Sequence, residues 1–292
     1  MKQSLWLARR SFLLDRRTLS FSAWPVGKRV GFLVKKYQLI GRHLYRPFQL
    51  GQSSTTFAGE TIYYDSPLGL SGYQSMLTRH VNLLRIAGVR ELQTVIDCGA
   101  NVGFFSKMII QLAPRARIYA IEPVPAIFDC LKRNMVGSPN VEVFQMAISD
   151  RAGHVRMAFD SSAAAVSHVA EDGDVEVRSM TLDEFASEQR IGEVDLLKVD
   201  TETFEAHVLR GAVQVLARTK HLLIEITIDG NQNYSISSLM SLLQGPGYDF
   251  QLVAFRNYAD VAEGRMPIMD CLMVNRALSS ARDELVASRP TA

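Results

Sequence analysis

Short runs of β-branched and apolar residues alternate with longer amphipathic stretches from about residue 94 to residue 275. Such alternation is typical of βαβ units that build a parallel sheet. It predicts seven strands, at 94–99, 117–122, 141–148, 194–200, 221–228, 248–255 and 267–275. It also predicts helices between them, at 103–113, 125–135, 181–189, 205–218 and 235–244. The pattern therefore indicates an α/β fold with one mostly parallel sheet.

The remaining segments fall outside this alternation. Between 151 and 180, the strand-like runs HVRMAFD and VEVRSM flank a stretch of small and acidic residues, which predicts an inserted hairpin. Before the sheet, a lead-in strand is predicted near Thr61–Tyr64 and a helix near Tyr73–Ala87. The chain is therefore divided into a basic N-terminal arm at 1–50, a lead-in at 51–92, the main domain at 93–276 and a polar tail at 277–292.

The composition is that of an ordinary globular protein, with 292 residues, 47% of them hydrophobic and 21% charged. A mainly disordered chain is excluded, and no run approaches the ~18 uncharged apolar residues of a spanning helix. The three cysteines, Cys98, Cys130 and Cys271, are far apart and lack metal-ligand spacing, which argues against a disulfide framework and a zinc site. A reducing, cytoplasmic compartment is the expectation.

Charge is distributed unevenly between the arm and the rest of the chain. Residues 1–50 contain eleven Lys and Arg residues and one acid, Asp15, and so carry +10, whereas the other 21 basic and 29 acidic residues carry −8. Because apolar side chains lie among these cations, residues 1–46 are candidates for peripheral contact with an anionic membrane, such as the inner membrane face. A helical arm packed on the body or on a second subunit is an equal alternative, and a transit peptide is a third. No nucleic-acid partner is expected, since no binding module accompanies the basic residues.

The first predicted strand leads into a glycine-rich turn, VIDCGANVG at residues 95–103. Such a turn lets the backbone approach a ligand closely and directs N–H groups of the following helix at it. About twenty residues later, the second strand ends in Glu122, where a carboxylate can accept both hydroxyls of a ribose. Together the two features predict a ligand that contains a nucleoside.

The acid before the turn, Asp97, bears on which nucleoside this is. A dinucleotide site would show G-x-G-x-x-G, and an acid beside its pyrophosphate would be repulsive. The same carboxylate suits S-adenosylmethionine, which carries ammonium and sulfonium groups. A second role for Asp97, compatible with the first, is to brace the turn through hydrogen bonds to backbone N–H groups. A nicotinamide-dependent oxidoreductase is the alternative reading.

Several motifs in order resemble the FkbM family of S-adenosylmethionine-dependent methyltransferases. They are DCGANVG, the IEP after the second strand, TLDEF at 181–185 and KVDTETFEAHVLRGA at 198–212, within a resemblance that covers about residues 60 to 275. The resemblance implies a class I methyltransferase fold, Rossmann-like, with a seven-stranded sheet whose last strand is antiparallel. It also implies O-methylation of a hydroxyl on a sugar, glycolipid or related natural product. The residues implied to line the cofactor are Asp97, Gly99, Ala100, Asn101, Gly103, Glu122 and Ala147.

Acidic residues follow the fourth strand, at the edge where open α/β sheets bind ligands. We expect Asp200 to take the proton of the acceptor hydroxyl, Glu202 to orient the acceptor, and Lys198 to hold one of the acids ionised. For Glu205, and as the alternative for Glu202, a favourable interaction with a helix N-terminus is expected instead.

This chain departs from the family at one position of the acidic motif. The motif usually reads D-x-E-G-x-E, and here Thr203 stands in place of the glycine. Because a β-branched residue disfavours positive φ, the turn is expected to be strained or altered on the acceptor side.

Other roles and classes stay open at this point. Asp200, Glu202 and Glu225 offer oxygen ligands of the kind Mg²⁺ takes, but no spacing demands a metal and none is expected. His207 is expected to be a surface or packing residue. Besides an O-methyltransferase with a small-molecule or glycolipid acceptor, a catalytically inactive binding protein on the same fold is an alternative.

Overall fold

The structure is a computed structural model that describes residues 15–16, 18–19, 24–46, 48–66, 69–86, 88–89, 91–159, 168–170, 172–227, 236–257 and 268–278. Its helices are α1 (Val26–Tyr45), α2 (Ser71–Ile86), α3 (Phe104–Leu112), α4 (Pro125–Asn134), α5 (Leu182–Glu188), α6 (Glu205–Arg210), α7 (Val213–Ala217) and α8 (Ile236–Ser241). Its strands are β1 (Ser54–Phe57), β2 (Glu60–Tyr63), β3 (Thr94–Cys98), β4 (Arg117–Ile121), β5 (Val141–Phe144), β6 (Ala147–Ile148), β7 (Gly153–Ala158), β8 (His168–Val169), β9 (Val175–Met180), β10 (Val194–Val199), β11 (Thr219–Thr227), β12 (Gln244–Gly245), β13 (Tyr248–Asn257) and β14 (Ile268–Asn275).

The central sheet has the strand order β12-β13-β14-β11-β10-β3-β4-β5. Strands β11, β10, β3, β4 and β5 pair in parallel, whereas β14 is antiparallel to both of its neighbours, β11 and β13. The predicted seven-stranded, mostly parallel sheet with a reversed last strand is therefore confirmed. A two-residue strand, β12, extends it at one edge.

Helices cover both faces of this sheet. Val95 and Leu196 point to a core shared with α1 to α4, and the next residues, Ile96 and Leu197, point to a second core shared with α5 to α8. The alternation follows from the two-residue period of a strand. The middle strand, β10, is buried along its whole length, as a parallel strand between two helical layers should be.

The predicted strand at 141–148 is wrong as one unit. It ends in the central sheet at Phe144, and Ala147–Ile148 instead pair with β9 in a separate sheet of order β6-β9-β7-β8. The chain can leave here because β5 is the edge strand of the central sheet. Within the second sheet, β7 and β9 pair antiparallel, as predicted for the inserted hairpin.

The predicted helix at 205–218 is also wrong, because it breaks at Gly211 into α6 and α7. A Cβ at this glycine would lie 2.1 Å from the carbonyl oxygen of Ser149. The new helix start is stabilised by Asp183, whose carboxylate accepts hydrogen bonds from the N–H groups of Gln214 (3.0 Å) and Val215 (2.8 Å). The helix predicted at 235–244 likewise ends at Ser241, ahead of the β12–β13 hairpin.

The lead-in forms a hairpin and a helix. Instead of one strand, β1 and β2 pair around Ala58 and Gly59, both at positive φ, as tight hairpin turns require. Asn134, at the end of α4, clamps this hairpin to the main domain. Its side chain accepts from Tyr63 N–H (2.8 Å) and donates to the carbonyls of Tyr63 (2.8 Å) and Val102 (2.7 Å).

The N-terminal arm packs on the body through one face of α1. Phe32 and Leu39 are buried there, and the buried ammonium of Lys36 pairs with Asp15 at 2.7 Å. Before α1, the indole N–H of Trp24 donates to Gln111 at 3.0 Å. None of the helices in the described ranges has the length and apolarity needed to cross a membrane.

Candidate functional site

The turn between β3 and α3 is built on three positive φ angles, at Gly99 (76°), Asn101 (50°) and Gly103 (86°). A Cβ at Gly99 would lie 1.8 Å from the carbonyl oxygen of Asp200, so only glycine fits there. Gly103 is the N-cap of α3, and a Cβ on it would lie 2.7 Å from a methyl carbon of Leu131. Ala100 is buried, and its N–H donates to Ile121 at 2.9 Å.

Glu122, at the end of β4, holds this turn through its carboxylate. One oxygen accepts from Asn101 N–H at 3.0 Å and the other from Val124 N–H at 2.9 Å. Burial raises the pKa of Glu122 to about 7 even though these hydrogen bonds oppose it. Each oxygen keeps a further lone pair for a ligand hydroxyl.

Asp97 lies beneath the turn, fully shielded from solvent. One of its oxygens accepts from the hydroxyl of Ser106 at 2.7 Å, and the other lies 3.2 Å from the ammonium of Lys198. The partners of Asp97 are thus two side chains, from α3 and β10, and not the backbone N–H groups expected from the sequence.

Lys198, on β10, connects the turn to the acidic motif. Its ammonium donates to Gly99 carbonyl oxygen at 2.9 Å and lies 3.2 Å from both the Asp97 and the Asp200 carboxylates. Burial alone would lower the pKa of Lys198, but the two carboxylates outweigh burial and raise it. The lysine is therefore charged, and it forms ion pairs with both Asp97 and Asp200.

Three carboxylates meet beside Lys198. Asp200, Glu202 and Glu225 each offer an oxygen, and these oxygens lie within 4.8 Å of one another. Burial, and then the charges of Asp200 and Glu205, raise the pKa of Glu202 to about 8. Burial followed by Asp200 and Glu202 raises the pKa of Glu225 well above its usual range. The cluster thus places two carboxyl groups with raised pKa values, Glu202 and Glu225, beside Asp200 and its ion pair with Lys198.

The backbone of the acidic motif is strained, as expected from its sequence. Glu202 and Thr203 have φ angles of 50° and 75°, both in the left-handed region. Thr203 therefore keeps the conformation that suits the glycine usual in the family. Glu205 is buried, and its carboxylate accepts from the N–H (2.9 Å) and hydroxyl (3.1 Å) of Thr201, a local role that agrees with the expectation for it.

His207 has partners that sequence reasoning missed. Its Nδ1 lies 2.8 Å from a carboxylate oxygen of Asp150, and its ring stacks on Phe204 with 4.2 Å between centroids. Burial would raise the pKa of Asp150, but the hydrogen bond and charge of His207 prevail and lower it. No pattern signalled this pair, because Asp150 follows β6 and His207 lies on α6. Three residues before Asp150, Ala147 is buried in β6 and pairs with Ser179 of β9.

The strand order with its reversed last strand and the glycine turn at the end of β3 define a class I methyltransferase fold. The family described as "Methyltransferase FkbM domain" matches residues 97–250, more than half of the sequence. The chain belongs to this family.

Characterised relatives are distant and cover part of the chain. The 2-O-methyltransferase NoeI of Sinorhizobium fredii is 27% identical in an alignment of 150 positions that covers 45% of this chain and 62% of NoeI. The 31-O-demethyl-FK506 methyltransferase FkbM of Streptomyces tacrolimicus is 27% identical over 60% of this chain and 80% of that protein. The hexuronic acid methyltransferase AglP of Haloferax volcanii is 26% identical over 44% of this chain and 54% of its own length. The solved structure of Aeropyrum pernix fibrillarin with bound S-adenosyl-L-methionine aligns with a TM-score of 0.40 at 15% identity, over 80% of this chain and 86% of that one.

Proposed function

We propose that this protein is an S-adenosylmethionine-dependent O-methyltransferase that acts on a hydroxyl of a sugar, glycolipid or related natural product. The observation that carries the proposal is the contact between the glycine turn after β3 and the acidic cluster after β10. The Asp200 backbone packs against Gly99 of the cofactor turn, while its carboxylate belongs to the acidic cluster. Membership of the FkbM family and relatives that methylate oxygen support the chemistry.

The residues proposed to hold the cofactor suit an adenosyl ligand. The turn of Gly99, Ala100, Asn101 and Gly103 would place backbone against it, Glu122 would accept ribose hydroxyls, and Ala147 would border the adenine. The pair of Asp97 and Lys198 would brace this turn from below. When bound, S-adenosylmethionine supplies an electrophilic methyl group.

The acidic cluster would accept the proton of the acceptor hydroxyl during methyl transfer. Asp200 is the member of the cluster that contacts the Lys198 ammonium, at 3.2 Å, and we assign it as the base that accepts this proton. Glu202, with a pKa of about 8, carries a proton at neutral pH and would orient the acceptor oxygen by donating a hydrogen bond to it. A metal is not needed in this scheme.

The acceptor class rests on the relatives and on the arm. AglP, a relative by sequence, is named for a hexuronic acid, which favours a sugar hydroxyl. A glycolipid acceptor would require the enzyme to work at a membrane surface, and contact through residues 1–46 would provide this. No macromolecular acceptor or nucleic acid is proposed.

Calorimetric titration with S-adenosylmethionine, S-adenosylhomocysteine and NAD tests the cofactor. We expect both adenosyl compounds to bind and NAD to give no heat. Glu122→Gln should weaken both by about tenfold or more, because an amide offers one acceptor oxygen where the carboxylate offers two, while the exposed Glu188→Gln should bind as the parent does. Binding of NAD in preference to both adenosyl compounds would support the oxidoreductase instead.

Transfer of a labelled methyl group to hexuronic acid glycosides, neutral oligosaccharides and glycolipids tests catalysis. Asp200→Asn should keep cofactor affinity and lose about 10²–10⁴-fold in rate, the usual contribution of a general base. Glu202→Gln should keep most of the rate, since an amide can still donate the orienting hydrogen bond. Full activity of Asp200→Asn would refute its assignment as the base, and the absence of transfer to every acceptor would favour a catalytically inactive binding protein.

A further inference from the structure

The helix α1 has a second apolar face, turned away from the body. Val26, Val30 and Val34 recur every four residues, a spacing that places them in one row along the helix, whereas the neighbouring Tyr37 donates its hydroxyl to Asp15. The exposed fractions of the three valines are 67%, 47% and 52%. The buried residues of α1, such as Phe32, lie on another face. The fold therefore uses one apolar face of this helix and leaves the other, the valine row, at the surface.

A row of cations lies on the flank of α1 between its exposed face and the face that packs on the body. Lys28, Lys35 and Arg42 follow each other at intervals of seven residues, which aligns them on one side of the helix. None of the twenty residues of α1 is acidic. The remainder of the chain, residues 51–292, carries a net charge of −8, so the positive potential is concentrated at this end of the molecule.

We propose that the valine row and the cation row form a docking surface for an anionic lipid bilayer, with α1 lying in the plane of the interface. An apolar stripe bordered by Lys and Arg, without acids, is the arrangement that such surfaces attract. The acidic body would be repelled by the same surface, so the protein docks with α1 towards the lipid.

Charge argues against the other occupants of this face. A second copy related by a two-fold axis through the valine row would bring two sets of cations together without acids from α1 to neutralise them. A nucleic acid would satisfy the cations but leave the valines in water. An anionic bilayer can bury the valines and neutralise the cations at the same time.

The docking surface is held rigidly by the catalytic domain. Trp24, just before α1, is hydrogen-bonded to Gln111 of α3, and Phe32 of α1 packs 6.3 Å from Tyr73 of α2, measured between ring centroids. Since α3 begins at the glycine turn, α1 and that turn belong to one packed unit. The inference concerns binding alone and does not rest on methyl transfer.

Co-sedimentation of the full chain with vesicles tests this surface. We expect binding to phosphatidylcholine vesicles that contain a quarter phosphatidylglycerol to exceed binding to pure phosphatidylcholine by about tenfold or more, and to fall in high salt. V30E/V34E should lose about tenfold or more of that binding, because it puts carboxylates into the valine row. The matched control Val136→Glu alters an exposed valine after α4, well outside α1, and should bind as the parent does.

Three outcomes would overturn the inference. They are equal binding of V30E/V34E and the parent, equal loss in Val136→Glu, and an oligomer of the parent, seen by light scattering without lipid, that V30E/V34E dissociates. The last outcome would assign the valine row to a second copy. Circular dichroism and cofactor titration of V30E/V34E should match the parent, which separates loss of docking from loss of fold.

Discussion

The ammonium of Lys198 and a carboxylate oxygen of Asp97 lie 3.2 Å apart, and both side chains are almost completely shielded from solvent. The pair ties the middle strand of the sheet to the residue that precedes the cofactor turn. A charge buried in this way depends on its partner, because water cannot replace it.

Removal of the lysine should therefore be costly. We predict that Lys198→Met lowers the free energy of unfolding by about 3–5 kcal/mol, since it strands the Asp97 carboxylate in the core. Urea denaturation measures this change. The control Lys132→Met breaks an exposed ion pair with Asp129 (3.4 Å) and should cost less than about 1 kcal/mol. Similar losses in both variants would mean that burial of the Lys198 pair is not what stabilises it.

Thr203 should be replaceable with a gain in stability. At its φ of 75° a β-branched residue bears strain of about 1–3 kcal/mol, whereas glycine adopts this conformation freely. Thr203→Gly, after the extra unfolded-state entropy of glycine, is expected to gain about 1 kcal/mol. Thr203→Ala keeps a Cβ at positive φ and should gain less. Thermal unfolding compares the variants, and equal gains would show that backbone strain is not the cause.

The pKa of Glu202 predicts a pH dependence of stability. Its pKa of about 8 in the folded protein lies above the ordinary value of 4.5. The folded state therefore favours the protonated acid, a contribution that is complete below about pH 4.5 and is lost as the pH rises through about 8. Relative to Glu202→Gln, the parent should lose unfolding free energy between pH 5 and pH 8.5, which denaturation at several pH values measures. Parallel pH curves for the two proteins would contradict this, and the exposed Glu188→Gln should parallel the parent.

Asn134 should contribute strongly to stability, because its side chain holds the β1–β2 hairpin to the main domain. Asn134→Ala leaves buried backbone groups of Tyr63 and Val102 without their partner, and we expect a loss of about 2–4 kcal/mol. Asn140→Ala removes one exposed hydrogen bond, to Pro114, and should cost less than about 1 kcal/mol. Hydrogen exchange should show faster opening of β2 in Asn134→Ala and no change in Asn140→Ala.

The strands of the central sheet were predictable because a strand that is buried on both faces has apolar residues at consecutive positions. The six residues of β10, VDLLKV, are all buried, and the apolar residues Val194, Leu196, Leu197 and Val199 point to both faces of the sheet, as expected for a strand between two helical layers. The breaks were not predictable, because tertiary contacts cause them. Helical periodicity continues past Gly211, while the event that ends α6 is the close approach of the Ser149 carbonyl.

Within the candidate site, the sequence predicted backbone conformations better than the directions in which side chains point. The glycine turn and the strain at Thr203 follow from what each residue type can adopt. The direction of the Asp97 side chain depends on Lys198 and Ser106, on two other elements, and spacing along the chain does not report it. Asn134 is similar, since its partner Tyr63 lies 71 residues away.

The second sheet makes one part of the protein exchangeable. β6 and β9 run side by side, and the N–H of Ser149 donates to the carbonyl of Met180 at 2.9 Å, so the chain leaves and returns at one point. Whatever lies between these two residues is topologically an appendix. Two of its side chains, Met157 and Val177, belong to the core shared with α1 to α4, and its Asp150 pairs with His207. A graft that joins at Ser149 and Met180 therefore has to restore these contacts. The fold thus sets both the two points at which a hybrid enzyme can be joined and the side chains that the foreign segment must supply.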